Sequence, residues 1–184
     1  MVNQELSTSR LKLVRLEKRH LDDLFKIYSN PNAMLYWDDF PHKDKEKTDK
    51  LLNLFQKREK EKTGVCWGIK IKGKDEIIGT IAYNSFKENG NSTIGYILAE
   101  HYWNKGIITE ALEEMINYGF SQLHINRIEA LVTPGNTSSE KVLKKLGFQN
   151  EGLLRQRYFF KDKHQDAIVY SLLSSEKKLT ITQG

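Results

Sequence analysis

One cysteine, three prolines and five histidines are all that the 184 residues hold of the types that staple, break or metallate a fold. A lone cysteine excludes an intramolecular disulfide. Cys66 stands in the apolar run Val65-Cys66-Trp67-Gly68-Ile69, where it reads as a small buried hydrophobe and not as a reactive thiol. His20, His42, His101, His124 and His164 show no ligand spacing, so no metal is expected. No run of about 18 apolar residues exists to cross a bilayer. The opening MVNQELSTSR lacks the apolar core of an export signal, so a cytoplasmic setting away from membranes is expected. Glycine-rich phosphate fingerprints are missing too. Neither GxGxxG nor GxxxxGKS/T occurs, which leaves a dinucleotide fold or a nucleotide hydrolase without motif support. There is no internal repeat, low-complexity segment or Pro/Gly-rich linker.

The length suits one domain able to bury roughly 70% of the surface that its unfolded chain exposes. A net charge of +5 and a pI near 9.1 favour anionic partners such as a phosphorylated cofactor. Much of the basic excess lies between His42 and Lys62, where lysines alternate with acids and Leu51, Leu52 and Phe55 mark one apolar face. Interspersed opposite charges describe a solvated amphipathic helix better than a nucleic-acid stripe, so direct nucleic-acid recognition is not expected.

Residues 10–16, RLKLVRL, alternate like a half-buried strand, and Leu21, Leu24, Phe25 and Tyr28 follow at helical spacing. After the charged helix come three β-rich runs, GVCWGIKI, EIIGTIAYNSF and STIGYILA. The first two are separated by KGKD, and the last two by the turn signal Glu88-Asn89-Gly90-Asn91. They predict an antiparallel meander. From Thr109 to Leu123 the period changes, with Leu112, Met115, Ile116, Gly119, Phe120 and Leu123 on one stripe of a helix. Arg127–Thr133 reads as a buried strand, and Thr137-Ser138-Ser139-Glu140 fits a capping box opening a helix that ends at Leu146-Gly147. Two last strands meet at a KDKH turn. The helix between ILAE and IEALV is long enough for a right-handed crossover, which makes those two strands parallel within an otherwise antiparallel sheet. The expected fold is α/β, a mixed and mostly antiparallel sheet flanked by helices. Its domain spans residues 10–174, between a loose N-terminus (1–9) and a C-terminal tail (175–184).

The most informative stretch is HYWNKGIITEAL, His101–Leu112, which places a Lys-Gly pair where a strand pattern gives way to a helix. A helix start offers backbone N–H groups without intrahelical partners and the positive end of the macrodipole. Gly106 permits a positive φ or close backbone approach, and Lys105 adds a cation, so a pyrophosphate is a reasonable guest. The same residues also suit an ordinary glycine turn capped by Thr109. Glu110, Glu113 and Glu114 favour the helix dipole but repel a phosphate.

Taken together, IGYILAEHYWNKGIITEAL, INRIEALVTPGNTSSEKVLKKLGFQNEGLLR and DAIVYSLL resemble the GCN5-related N-acetyltransferase (GNAT) superfamily, in its RimJ/RimL-like branch of ribosomal-protein N-terminal acetyltransferases. The likeness runs from about Leu11 to Leu173, and its most specific part is the ordered set Gly106, Thr109-Glu110-Ala111, Asn126-Arg127, Asn136, Ser139 and Leu146-Gly147-Phe148. The resemblance implies an acetyl-CoA site and a sheet splayed at its centre. A bulge in the strand at Gly95–Ala99 would part it from the strand at Ile128–Val132, with pantetheine lying along Ile97, Leu98 and Ala99. The amides of Asn104, Lys105, Gly106, Ile107, Ile108 and Thr109 would take the pyrophosphate, and Asn136 would contact the cofactor. The chain departs from the pattern at Trp103, where an Arg or Gln is usual, and at Ile108, where Gly or Ala is frequent.

The implied reaction is attack of a neutral amine on the thioester, which needs an oxyanion donor and a proton for the departing thiolate. A main-chain N–H near Leu98 or Ala99 is the implied oxyanion donor. The tyrosine that many members use as the acid is replaced by Leu143, and Ser139 occupies the place of the serine assigned that role in the RimL-like branch. Tyr158 stands where that branch has a glutamate, which leaves Glu100 as the nearest acidic residue for a base. Deprotonating a lysine of pKa about 10.4 near pH 7.4 costs about 4 kcal/mol, against under about 1 for an α-amino group of pKa about 7.7 to 8. The arithmetic favours an N-terminal α-amine, for example on a ribosomal protein. Between the first two helices, Tyr36, Trp37 and Phe40 suit equally the wall of an acceptor site, with Asp38 or Asp39 attracting an ammonium, and a hydrophobic lid with capping aspartates. A polyamine or aminoglycoside acceptor, a non-catalytic acyl-CoA-binding module and a basic nucleic-acid-binding domain are the alternatives, and a homodimer is a further expectation from the resemblance.

Overall fold

The computed structural model describes residues 4–87 and 90–177. Its centre is one eight-stranded sheet made of β1 (Leu6–Ser7), β2 (Leu11–Arg15), β3 (Val65–Ile71), β4 (Gly79–Phe86), β5 (Asn91–Leu98), β6 (Arg127–Val132), β7 (Gln149–Phe160) and β8 (Lys163–Leu173). The helices are α1 (Leu21–Tyr28), α2 (Lys45–Lys60), α3 (Ile107–Ser121) and α4 (Thr137–Lys145), with 3-10 turns at Lys18–His20 and Glu100–Tyr102. The spatial order is β1-β2-β3-β4-β5-β6-β8-β7, and every neighbouring pair is antiparallel except β5 and β6. The mixed, mostly antiparallel sheet flanked by helices is therefore the observed one.

The residue pattern explains the layering. In β2 to β5, alternate residues serve two separate cores: Leu11, Leu13, Trp67, Ile69, Ile81 and Tyr83 belong to one, and Val14, Cys66, Ala82 and Ile97 to the other. Helices α3 and α4 contribute to the first core, while α1 and α2 contribute to the second. Burial on both faces is why β3 and β4 read as nearly continuous apolar runs. β6 buries only every second residue, and most of β7 is exposed. Helix α3 sits close against the sheet at Gly119, where an added Cβ would lie 2.0 Å from the Tyr83 hydroxyl. That hydroxyl donates to the Met115 carbonyl at 2.9 Å.

The parallel pair is short. β5 and β6 are in register only at Asn91↔Arg127, Ser92↔Ile128 and Thr93↔Glu129. Beyond Thr93, β5 continues alongside β4 as far as Gly79↔Leu98, and β6 continues alongside β8 as far as Val132↔Ile168. The two strands thus part in a V. The irregularity at the fork does not lie in Gly95–Ala99, as expected, but in β4, where the register shifts between Tyr83 and Ser85 and leaves Asn84 as the extra residue.

Other boundaries also differ from expectation. Residues expected to be loose at the N-terminus are tied down: Leu6–Ser7 pairs with β2, and the Gln4 carbonyl accepts from Trp67 Nε1 at 3.1 Å. Helix α3 begins at Ile107, with Gly106 rather than Thr109 as its N-cap. Helix α4 is capped by Asn136, whose side chain accepts from the Ser139 amide, and not by the Thr137 hydroxyl. The KDKH turn falls where expected, with Lys161 and Asp162 both at positive φ, as a two-residue type I′ hairpin requires. Glu88 and Asn89 of the earlier turn, and residues 178–184 of the expected tail, lie outside the described residues.

Two histidines are buried in this frame. His42 is stacked on Tyr28 at 5.4 Å, and its Nδ1 is 2.8 Å from the Thr48 hydroxyl; the His20 Nδ1 accepts from the Glu17 amide at 3.0 Å. Burial, reinforced by Lys47 for His42 and by Arg19 for His20, lowers both below the usual 6.5. The unfolded chain therefore takes up protons near pH 6.5 that the folded chain refuses, so their contribution to stability is complete above that pH and is lost below it. Urea denaturation at about pH 7.5 and about pH 5.5 is expected to show a loss on acidification that shrinks in His42→Gln.

Candidate functional site

The loop between β5 and α3 supplies donors. After the turn at Glu100–Tyr102, Asn104 and Gly106 adopt positive φ values of 60° and 72°. Gly106 provides no side-chain cap, and the first intrahelical bond recorded runs from the Glu110 amide to its carbonyl at 3.1 Å. The amides of Ile107, Ile108 and Thr109 therefore begin the helix without a capping side chain, at the positive end of a 15-residue helix. Lys105 folds back so that its Nζ donates to the His101 carbonyl at 2.7 Å and lies 5.4 Å from the centre of the Tyr102 ring. Trp103 Nε1 donates to the Leu98 carbonyl at 2.9 Å and ties this loop to the end of β5.

Glu110 would oppose an anion here if it were bare, but it is not. Its carboxylate accepts from Thr8 Oγ1 at 2.5 Å, Ser9 Oγ at 3.2 Å, the Arg10 amide at 3.0 Å and Arg10 Nε at 2.6 Å. Burial acts to raise its pKa, yet the Thr8 and Arg10 hydrogen bonds outweigh it and hold the group below its ordinary value. Arg10 also donates to the Lys105 carbonyl at 3.1 Å, and its guanidinium lies 3.6 Å from where a side chain on Gly106 would begin. No motif singled out Arg10. Its signal was present only as an arginine in a strand-like run that the topology brings to the α3 start.

The arms of the V carry the remaining groups. The Ala99 amide donates to the Ile78 carbonyl at 2.8 Å, so it is spent within the sheet and is not free to serve as an oxyanion donor. Alternation along β5 then directs the amides of Leu98 and Tyr96 away from β4, toward the opening left by β6. The Leu98 amide therefore faces the opening. Across the opening, Ser139 lies in the first turn of α4, with its amide held by Asn136 Oδ1 at 3.2 Å. Its hydroxyl is 2.6 Å from the Tyr96 hydroxyl, a partner that the sequence pattern disguised as one more strand aromatic.

The segment after α1 closes over the mouth of the V as a strap. Asn30 and Asn32 donate from their amides to the two Glu100 oxygens at 3.1 and 2.8 Å, which ties the strap to the end of β5. Tyr36 donates to the Gly135 carbonyl at 2.9 Å, beyond the end of β6, and Lys161 at the tip of the β7–β8 hairpin donates to the carbonyls of Met34 and Leu35. One segment therefore joins both arms and the hairpin. Trp37 packs edge-on against buried Tyr28 at 5.8 Å, Asp39 pairs with Lys47 at 2.8 Å, and Phe40 is exposed. The Tyr158 phenol is raised by burial, with Arg157 opposing and the charges of Asp38 and Glu129 adding to the rise. Of the expected acceptor residues, Tyr36 reaches across to Gly135, and Asp38 is exposed on the same strap. Trp37 is turned largely inward.

Residues 10–149 match the family model described as an acetyltransferase (GNAT) domain. The chain is 37% identical over 174 residues, 94% of this chain and 98% of the relative, to the uncharacterised N-acetyltransferase p20 of Bacillus licheniformis. It is 25% identical over 163 residues, 88% of this chain and 85% of the other, to the spermidine N(1)-acetyltransferase of Escherichia coli strain K12. Among solved structures it superposes with a TM-score of 0.83 and 20% identity on RimL, a ribosomal α-N-protein acetyltransferase in complex with coenzyme A, covering 92% of this chain and 98% of that one.

The left-handed backbone at Gly106 meets only the Arg10 guanidinium nearby, so a methyl group there is costly through conformation and not through crowding. Gly106→Ala is expected to lower stability by about 1 kcal/mol, and Gly106→Asn by less. Thermal or urea denaturation of the two variants checks the difference.

Proposed function

The chain belongs to the GNAT family of N-acetyltransferases, and from that premise we propose that it transfers the acetyl group of acetyl-CoA to a primary amine, most favourably the α-amino group of a protein or peptide N-terminus. The observation that carries this reading is the group of uncapped amides at the start of α3, with the charge of Glu110 cancelled by Arg10, opening beside a V whose arms diverge after Thr93. In this reading the amides of Asn104 to Thr109 take the pyrophosphate, Ile97, Leu98 and Ala99 flank the pantetheine, and Asn136 supports it while capping α4. The Leu98 amide meets the carbonyl oxygen as it gains charge, and Ser139 donates to the leaving sulfur. Tyr36, Asp38 and Phe40 form the acceptor wall, backed by Trp37 packed on Tyr28 and by Asp39 paired with Lys47. Glu100, which anchors the strap, is the carboxylate for water-mediated proton removal, a light demand when the acceptor is an α-amine. A homodimer along the free edge of β7, where Leu153, Leu154 and Phe159 are exposed, is part of the same proposal.

A second acceptor class draws support from a specific feature. Asp38, exposed on the strap next to Asp39, would suit a polycationic amine, the class acted on by the spermidine relative. Thiol release from acetyl-CoA, measured with N-terminal peptides, intact ribosomal proteins and polyamines side by side, separates the readings. Peptide or ribosomal-protein turnover above polyamine turnover is the expected result. Turnover with polyamines alone reassigns the acceptor. CoA binding without turnover on any amine identifies a non-catalytic module.

The charge arrangement at α3 gives a further expectation. Arg10→Ala removes the one cation that pairs with Glu110 among the described residues and leaves only neutral donors on its carboxylate, so it is expected to weaken CoA binding by roughly 5-fold, in the range of single charge–dipole effects. Arg10→Ala/Glu110→Gln is expected to recover most of that loss. Titration calorimetry with CoA checks both, and equal affinities for the single and double variants would count against the assignment.

A further inference from the structure

We propose that Tyr96 is a positioning residue for Ser139: its phenol donates to Ser139 Oγ across the V, which leaves the hydrogen of the serine free to point into the opening. The inference rests on the acetyl-transfer reading above and deepens it, because it supplies the leaving sulfur with an oriented donor in a chain that has Leu143 where other members place a tyrosine.

Tyr96 lies on the β5 arm, paired with Ile81 of β4 and three residues beyond Thr93, the last residue of β5 in register with β6, and Ser139 lies in the helix that follows the β6 arm. Their hydroxyl oxygens are 2.6 Å apart, so one hydrogen lies between them and the other is free. The direction of the shared bond follows from chemistry. A phenol is the more acidic hydroxyl and delocalises its oxygen lone pair into the ring, so it is the better donor and the poorer acceptor of the two. An aliphatic hydroxyl that accepts such a bond is itself polarised into a stronger donor. The serine has little freedom to turn away, because Asn136 Oδ1 holds its amide at 3.2 Å in the first turn of α4. Burial pushes the Tyr96 phenol up to about 12, with the Ser139 bond opposing, so the donor keeps its hydrogen throughout the neutral range. Tyr96 therefore adds no ionisation of its own to a pH profile near neutrality.

The test uses the full-length chain with acetyl-CoA and the best acceptor found in the thiol-release assay. Tyr96→Phe is expected to lower kcat by roughly 10-fold, the upper end of what one neutral hydrogen bond is worth, with KM and the calorimetric CoA affinity unchanged. In the Ser139→Ala background the same change is expected to do nothing further, since Tyr96 acts only through the serine. A fluorinated tyrosine at position 96, of nearly the same shape and with a more acidic phenol, is expected to hold or raise kcat, and it keeps the test valid if Tyr96→Phe folds poorly. Wild-type kcat in a folded Tyr96→Phe, full additivity with Ser139→Ala, or a fluorotyrosine variant as slow as Tyr96→Phe would each overturn the pairing. If the unmodified chain turns over no amine at all, the functional reading itself falls, and that outcome is distinct from an active enzyme indifferent to Tyr96.

Discussion

The early parting of β5 from β6 is the constraint around which the molecule is arranged. Two parallel strands in the middle of a sheet would ordinarily pair along their whole length, since buried backbone donors and acceptors left alone are costly. Here the pairing ends after Thr93, while each strand keeps its other neighbour, β4 for β5 and β8 for β6. The extra residue Asn84 in β4 lies level with the fork, and a bulge at that place increases the local twist and turns β5 away. The cost of the opening is limited by what surrounds it. The strap from Asn30 to Tyr36 ties the far ends of the two arms through Glu100 and Gly135, and Tyr96 reaches Ser139 between them. The V is thus held at a set width, with the Leu98 amide directed into it.

Electrostatics at the mouth of α3 depend on the N-terminal segment. A first-turn glutamate favours the helix dipole but works against an anion at the same place. Thr8, Ser9 and Arg10 resolve that conflict by surrounding the Glu110 carboxylate with donors, so that the helix keeps its favourable interaction and the surface beside Gly106 presents a guanidinium. Pairing of β1 with β2 is what carries these residues to the helix. A segment that looked like a frayed end is therefore part of the surface around the α3 start.

Much of the architecture was legible because burial leaves a direct trace in residue order. The two-faced burial of β3 and β4 produced apolar runs, the one-faced burial of β6 produced alternation, and the stripe from Leu112 to Leu123 announced α3. Misreadings were local. Thr109 and Thr137 both looked like N-caps because their hydroxyls suit that role, but the backbone had already turned at Gly106 and Asn136. The fork was expected in β5, yet the inserted residue is in β4; a bulge is a property of two strands in register, and no single strand displays it.

The amino-acid order alone determined the succession of elements, the parallel pair within an antiparallel sheet, the donor-rich start of α3 and the family resemblance carried by Gly106, Asn136 and Ser139. These are short-range properties, set by periodicity, caps and the conformational freedom of individual residues. Tertiary structure decided which distant groups meet: Arg10 with Glu110, Tyr96 with Ser139, Asn30 and Asn32 with Glu100, and Tyr36 with Gly135. The pairs that face the site are separated by about 40 to 100 positions along the chain, as Tyr96 and Ser139 are by 43 and Arg10 and Glu110 by 100. Only the stacking of strands in the order β1-β2-β3-β4-β5-β6-β8-β7 brings them within hydrogen-bond reach, because a side chain's partner is set by the path of the backbone and not by its neighbours in sequence.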